Sequence, residues 1–162
     1  MKHLVALFLI LVVATATAAQ VSFDEAADFS GYRSYAWKEG TPARNLDMQD
    51  LIELTVNSEL GAKGLARVDA ESDLFVMTYV LPDKVSADEL ARNDSLLFWS
   101  GVTSLSPTDM GAGTLVVDLV DTGSGEIVWR GVVAEAIKGS FKKMSRKVES
   151  GITKMFKRFP TR

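Results

Sequence analysis

The chain has 162 residues, a formal net charge of −3, one histidine and no cysteine. Disulfides are excluded, and with His3 as the lone imidazole so are Cys–His nucleophile pairs and thiolate or multi-histidine metal sets. The charge is also unevenly placed. Lys138 to Arg162 holds nine basic residues against Glu149 alone, whereas residues 20–137 hold eight basic and twenty acidic side chains. The tail is cationic and the body anionic.

Met1-Lys2-His3 is a short positive start, Leu4 to Val13 is an unbroken apolar run, and Ala14 to Ala19 are small residues. That order is the pattern of a secretory signal peptide. The apolar run is about half the roughly 20 residues needed to span a bilayer. The reading is therefore residues 1–19 as signal peptide and residues 20–162 as one exported domain. No membrane-spanning helix is expected once the signal is cut. Loss of His3 with that segment would leave carboxylates, hydroxyls, lysine and backbone as the only groups for chemistry. Oxygen-preferring cations such as calcium would be the only metals suited to the chain, and no cofactor is expected.

Asp28 to Trp37 reads as a turn and then a short strand carrying Tyr32, Tyr35 and Trp37. Gly40 and Pro42 make Lys38 to Asn45 a loop. A helix is predicted over Met48–Lys63, with Asp47 as N-cap and Gly64 as the stop. Met48, Ile52, Val56 and Leu60 form its buried stripe. Leu65 to Val68 is a brief strand, and Leu74 to Leu81 an apolar central strand. From Pro82 to Asp109 the pattern is irregular: one or two helical turns over Ser86–Arg92, then the apolar Leu96-Leu97-Phe98-Trp99.

Gly113 to Ile137 alternates Leu115, Val117 and Leu119 with Val116, Asp118 and Val120, turns at Thr122-Gly123-Ser124-Gly125 and returns through Ile127, Trp129 and Val133. This is a β-hairpin. A last helix is predicted over Phe141–Phe156 with Ser140 as N-cap. Its apolar face carries Phe141, Met144, Val148, Ile152 and Met155, and its other face is basic. The order β-α-β-β-β-β-α predicts an α+β fold: a single, largely antiparallel sheet of four to five strands with both helices on one face.

Several segments together resemble a known family. They are Asp28-Phe29-Ser30-Gly31-Tyr32 with Tyr35-Ala36-Trp37, Leu60-x-x-Lys63-Gly64-Leu65, and Ser72-Asp73-Leu74-Phe75-Val76. Gly113 to Asp121 follows, running into Val128-Trp129-Arg130-Gly131, and Phe159-Pro160 closes the chain. The set resembles the DUF4136 family of bacterial envelope proteins across nearly the whole exported region, with the hairpin block the most specific part. The resemblance implies a Gram-negative cell envelope and a small α+β domain. It transfers no catalytic residue, because the family has no established activity. Its members are often lipoproteins, but this chain has no lipobox cysteine, so a soluble periplasmic form is expected.

Asp121-Thr122-Gly123-Ser124, preceded by Asp118-Leu119-Val120, spells the active-site signature of aspartic peptidases, in which two carboxylates share a proton. One copy could serve only in a dimer, and the same residues are what a hairpin turn requires. Asp69-x-Glu71-x-Asp73 begins like a calcium loop, but Leu74 stands where glycine is needed and Val80 where the last carboxylate belongs. Gly111-x-Gly113-Thr114 precedes a strand, whereas phosphate-cradling glycines follow one. Trp129 lies on the apolar side of its strand and belongs in the core; Trp37 could line a groove, and Trp99 is a candidate ligand contact.

The basic helix face, with Lys143, Arg146, Lys147, Lys154 and Lys157, is the candidate for contact with an anionic surface. In its plain reading it is solvated or pairs with the acidic body. Three functions follow, in order of preference. The first is a non-enzymatic envelope protein acting by protein or envelope-surface contact. The second is a carrier for a small or amphiphilic ligand, covered by Leu96–Trp99. The last is an aspartate-dependent hydrolase at Asp121. For an exported chain nucleic acid is not an expected partner.

Overall fold

The computed structural model of the chain describes residues 19–81 and 113–160. Among them the elements are β1 (Ala19–Phe23), β2 (Ser34–Trp37), α1 (Leu46–Ala62), β3 (Ala66–Arg67), β4 (Leu74–Leu81), β5 (Thr114–Asp121), β6 (Ile127–Val133) and α2 (Phe141–Phe156). The expectations for Ser86–Arg92 and for Leu96–Trp99, including Trp99 as a ligand contact, lie outside the described residues.

The α+β class holds, with two helices and one sheet, but the sheet differs from the expected four to five largely antiparallel strands. It has six strands in the order β1-β6-β5-β4-β2-β3 and is mixed. β2 runs parallel to both β4 and β3, while β4–β5, β5–β6 and β1–β6 are antiparallel. Parallel neighbours require a crossover connection, and α1 supplies it between β2 and β3. The extra strand is β1, which begins at Ala19, the residue before the expected cut, and pairs from Ala19↔Val133 to Phe23↔Trp129 along the edge of β6.

α1 begins two residues earlier than predicted, because Asn45 and not Asp47 is the N-cap. Asn45 has extended backbone, and its side-chain oxygen accepts from the Met48 amide at 2.9 Å. That satisfies one of the open amides of the first turn, while Asp47 sits inside that turn, where a negative charge favours the helix dipole. The helix stops where Gly64 adopts φ 81°. Leu65 N then donates to Leu60 O and Gly64 N to Gly61 O, the paired closure that needs a left-handed residue.

Both helices pack on the sheet face that carries Val76, Val80, Leu115, Val117, Leu119, Trp129 and Val133. From α1, the predicted stripe Met48, Ile52, Val56 and Leu60 is fully buried there; from α2 come Val148, Ile152, Met155 and Phe156. Asn57 of α1 accepts hydrogen bonds from Tyr35 Oη and Trp37 Nε1, each at 2.9 Å, which pins the helix over β2. Phe156 of α2 stacks on Trp129 at 4.8 Å between ring centres. Gly151 lets α2 approach β6: a methyl group there would stand 2.6 Å from both γ-carbons of Val133. Thr153 Oγ1 donates to Glu59 at 2.7 Å near the C-terminal ends of the two helices. Their first turns, with Met48 and Met144, border one cavity, so the helices run parallel.

The other face of the central strands is buried as well, including Tyr79, Val116, Asp118, Arg130 and Val132. No helix among the described residues is long and apolar enough to cross a membrane.

Candidate functional site

The position of the basic face follows from α2 packing. Val148, Gly151, Ile152, Met155 and Phe156 are buried against the sheet, and the helical period then turns Lys143, Arg146, Lys154 and Lys157 outward. These four are exposed. Lys147 is half-buried, and its ammonium donates to the carbonyl of Glu135 at 3.1 Å, which ties it to the chain ahead of α2. Among the described residues the ion pairs are Arg130–Asp118 and Lys138–Glu135; neither involves an α2 cation. The structure thus brings four of the five predicted cations together on one open surface and gives Lys147 a backbone partner.

The Asp121 carboxylate shapes the hairpin turn. One oxygen accepts from the Gly123 amide at 2.9 Å and the Ser124 amide at 2.7 Å, and the other accepts from Tyr32 Oη at 2.9 Å. The Ser124 amide foremost, with Tyr32 and Gly123, holds this carboxyl below the usual range despite partial burial. A carboxylate so engaged is stabilised as the anion and is a weak base. Burial and the same contact push the Tyr32 hydroxyl well up.

Asp73, the last member of the Asp69-x-Glu71-x-Asp73 run, accepts from the Arg33 amide (2.8 Å), the Ser34 amide (2.9 Å) and the Ser34 hydroxyl (2.9 Å). These bonds, Arg33 first, also hold it low. They join the start of β4 to the start of β2. Gly113 closes the sheet end at φ 77°, donating to Leu81 O and accepting from Ile137 N. Trp129 is in the core, fully buried, and Trp37 is tied to Asn57.

The two depressed carboxyls make acid stability testable. A group whose pKa is lower in the folded state contributes stability that is present above its unfolded value and lost as pH falls through the folded one. The part due to Asp73 and Asp121 should therefore fade below about pH 4. Asp73→Asn is expected to lower stability at pH 7 by about 1 kcal/mol or less and to flatten the acid slope. Urea midpoints measured between pH 7 and pH 2.5 check both; an unchanged slope would place the acid sensitivity elsewhere.

A family model described as a domain of unknown function (DUF4136) matches residues 19–161. The chain belongs to the DUF4136 family. None of the curated proteins matches it. Among solved structures, this DUF4136 chain is similar to a PDZ domain protein from Parabacteroides distasonis, with a TM-score of 0.57 and 15% identity over 88% of this chain and 35% of that one. It thus spans about a third of that protein's length, and the likeness shows the fold alone. A PelC dodecamer from Paraburkholderia phytofirmans aligns at TM-score 0.49 and 14% identity, covering 90% of this chain and 99% of that one. A DUF330 protein from Xanthomonas campestris aligns at 0.41 and 14%, covering 86% and 87%.

One pair in the DUF4136 fold escaped the sequence reading. Arg130 donates from Nε and Nη2 to the two carboxylate oxygens of Asp118, each at 2.7 Å, with both side chains almost wholly buried. They face each other across β5 and β6. Burial pushes the Asp118 carboxyl up, and the guanidinium draws it back. Counting outward from the 122–125 turn in strict antiparallel register pairs position 118 with Trp129; a register shift between Leu119 and Val120 brings Arg130 opposite Asp118 instead, which spacing alone does not reveal.

Proposed function

We propose that this DUF4136 domain is a non-catalytic, exported protein of the bacterial envelope that makes contact, through the basic face of α2, with an anionic surface. The observation that carries the reading is the exposed set Lys143, Arg146, Lys154 and Lys157, none of them ion-paired among the described residues. Each such residue near an anionic bilayer contributes about 1 kcal/mol, so four on one rigid helix give a salt-sensitive attraction that needs no pocket. The signal-like Leu4–Val13 run supports export. The engagement of Asp121 with its own turn and with Tyr32 supports the non-catalytic reading.

Flotation with vesicles tests it. The chain lacking residues 1–19 should float with vesicles rich in phosphatidylglycerol at low salt, remain behind with purely zwitterionic vesicles, and release by 0.5 M salt, where the screening length is down to about 4 Å. Lys143→Glu/Arg146→Glu/Lys154→Glu should weaken binding about a hundredfold or more. Equal binding to both kinds of vesicle, or no loss in the triple variant, refutes the proposal.

A further inference from the structure

Where both helices begin, the fold leaves an apolar cavity of about 410 Å³. Its walls come from four separate places: Ala43 in the loop before α1, Met48 in the first turn of α1, Val80 at the end of β4, and Ile137 and Met144 around the start of α2. The exposed Arg44 also lines it and is the one ionisable side chain among the described lining residues. It opens to solvent at its rim, where Pro42, Arg44 and Asn45 are exposed. It falls within the roughly 300–1,000 Å³ of small-molecule sites.

The walls are held by bonds that do not depend on an occupant. Val80 N donates to Thr41 O at 2.8 Å and Thr41 N to Thr78 O at 3.0 Å, which fastens the loop along β4. Gln49 accepts from the Ala43 amide at 2.9 Å, and Ile137 N donates to Gly113 O at 2.9 Å. The backbone frame is thus preformed, while Met48 and Met144 supply flexible, polarisable side chains that adapt to a linear guest. Charge selects its head group. Arg44 stands at the cavity, and the two parallel helices direct their positive ends to this side of the molecule. Ser140 makes no side-chain cap bond, so the first amides of α2 are not masked by it. Asp47, in the first turn of α1, is the nearby opposing charge.

We infer that the cavity binds one alkyl chain of a single-chain anionic amphiphile of the fatty-carboxylate type, with the carboxylate on Arg44. This site is separate from the outward face of α2 and does not rest on the membrane reading.

Titration calorimetry with dodecanoate, kept below its micelle concentration, on the chain lacking residues 1–19 is the test. One molecule should bind per chain. Arg44→Gln, an exposed change, should weaken dodecanoate about tenfold and leave the neutral dodecanol unaffected. Ala43→Leu, which fills the cavity, should abolish binding of both, with the fold checked by its thermal transition. Should that variant not fold, Met144→Trp fills the same space from the helix side and carries the same expectation. The Lys143→Glu/Arg146→Glu/Lys154→Glu variant should still bind one dodecanoate, which separates this site from the vesicle contact. Absence of heat, binding of many molecules per chain, or equal affinity in Arg44→Gln each overturns the inference.

Discussion

Arg130→Met is expected to lower the unfolding free energy by about 3–5 kcal/mol. The guanidinium and the Asp118 carboxylate are closed to water and bonded at both oxygens. Removing the guanidinium leaves the Asp118 carboxylate in the sheet without the two bonds that replace its hydration. Tyr79, close by and fully buried, already feels this charge: burial first and Asp118 second push its hydroxyl well up. Asp118→Leu/Arg130→Met removes both charges together and should recover most of the loss, since a buried pair and a well-packed apolar pair are often of similar stability. Guanidinium melts of the two single variants and the double give the coupling directly. A single variant that loses less than about 1 kcal/mol would mean that water reaches the pair.

Trp129→Ala should be comparably damaging, at about 3–5 kcal/mol. The indole is fully buried, stacked on Phe156 and tilted 57° against Phe159 at 6.0 Å, so truncation opens a cavity beneath α2. Trp129→Phe separates two contributions. It keeps most of the ring contact and removes the indole Nε1, which has no hydrogen-bond partner among the described residues. An unsatisfied buried donor carries a penalty of about 1–3 kcal/mol, so the phenylalanine variant should lose far less than the alanine one. Thermal melts discriminate the two; a shift for Trp129→Phe as large as that for Trp129→Ala would show that the nitrogen is satisfied by water. Against a total stability of roughly 5–15 kcal/mol for a domain, either alanine-type loss is a large share.

What the sequence revealed follows the reach of each signal. Leu74–Leu81 and Phe141–Phe156 fall where they were expected, the first because an unbroken apolar run of that length suits a central strand and the second because its apolar residues repeat at the helical spacing. The hairpin was legible for the same reason, with its turn chemistry as a second signal. The α2 cations were found by the same 3.6-residue period, and only the tether of Lys147 to Glu135 needed coordinates. The N-cap was missed by two residues, since Asn45 and Asp47 are both good caps and backbone angles choose between them.

Non-local features were not legible. The parallel pairing of β2 with β4 joins residues separated by a helix and another strand, and no turn motif records it. β1 is a five-residue edge strand, and its first residue reads more naturally as the end of an export signal. The cavity beside Arg44 is a gap between four segments, set by what their side chains fail to fill. The buried ion pair belongs with these. A register shift between Leu119 and Val120 sets Arg130 opposite Asp118 where a strict count from the turn gives Trp129, and an aspartate in an otherwise apolar strand reads by itself as a solvent-facing position.

The location of β1 has a kinetic consequence. The first strand of the domain hydrogen-bonds to β6, more than a hundred residues later, and the ring of Phe29 meets that of Phe159 edge-on at 5.4 Å. The two ends of the described residues are therefore stitched together, and β1 has no ladder on which to settle until β6 has been synthesised. Long-range closure of this kind slows folding, so that the first of these strands waits unpaired while the intervening elements form.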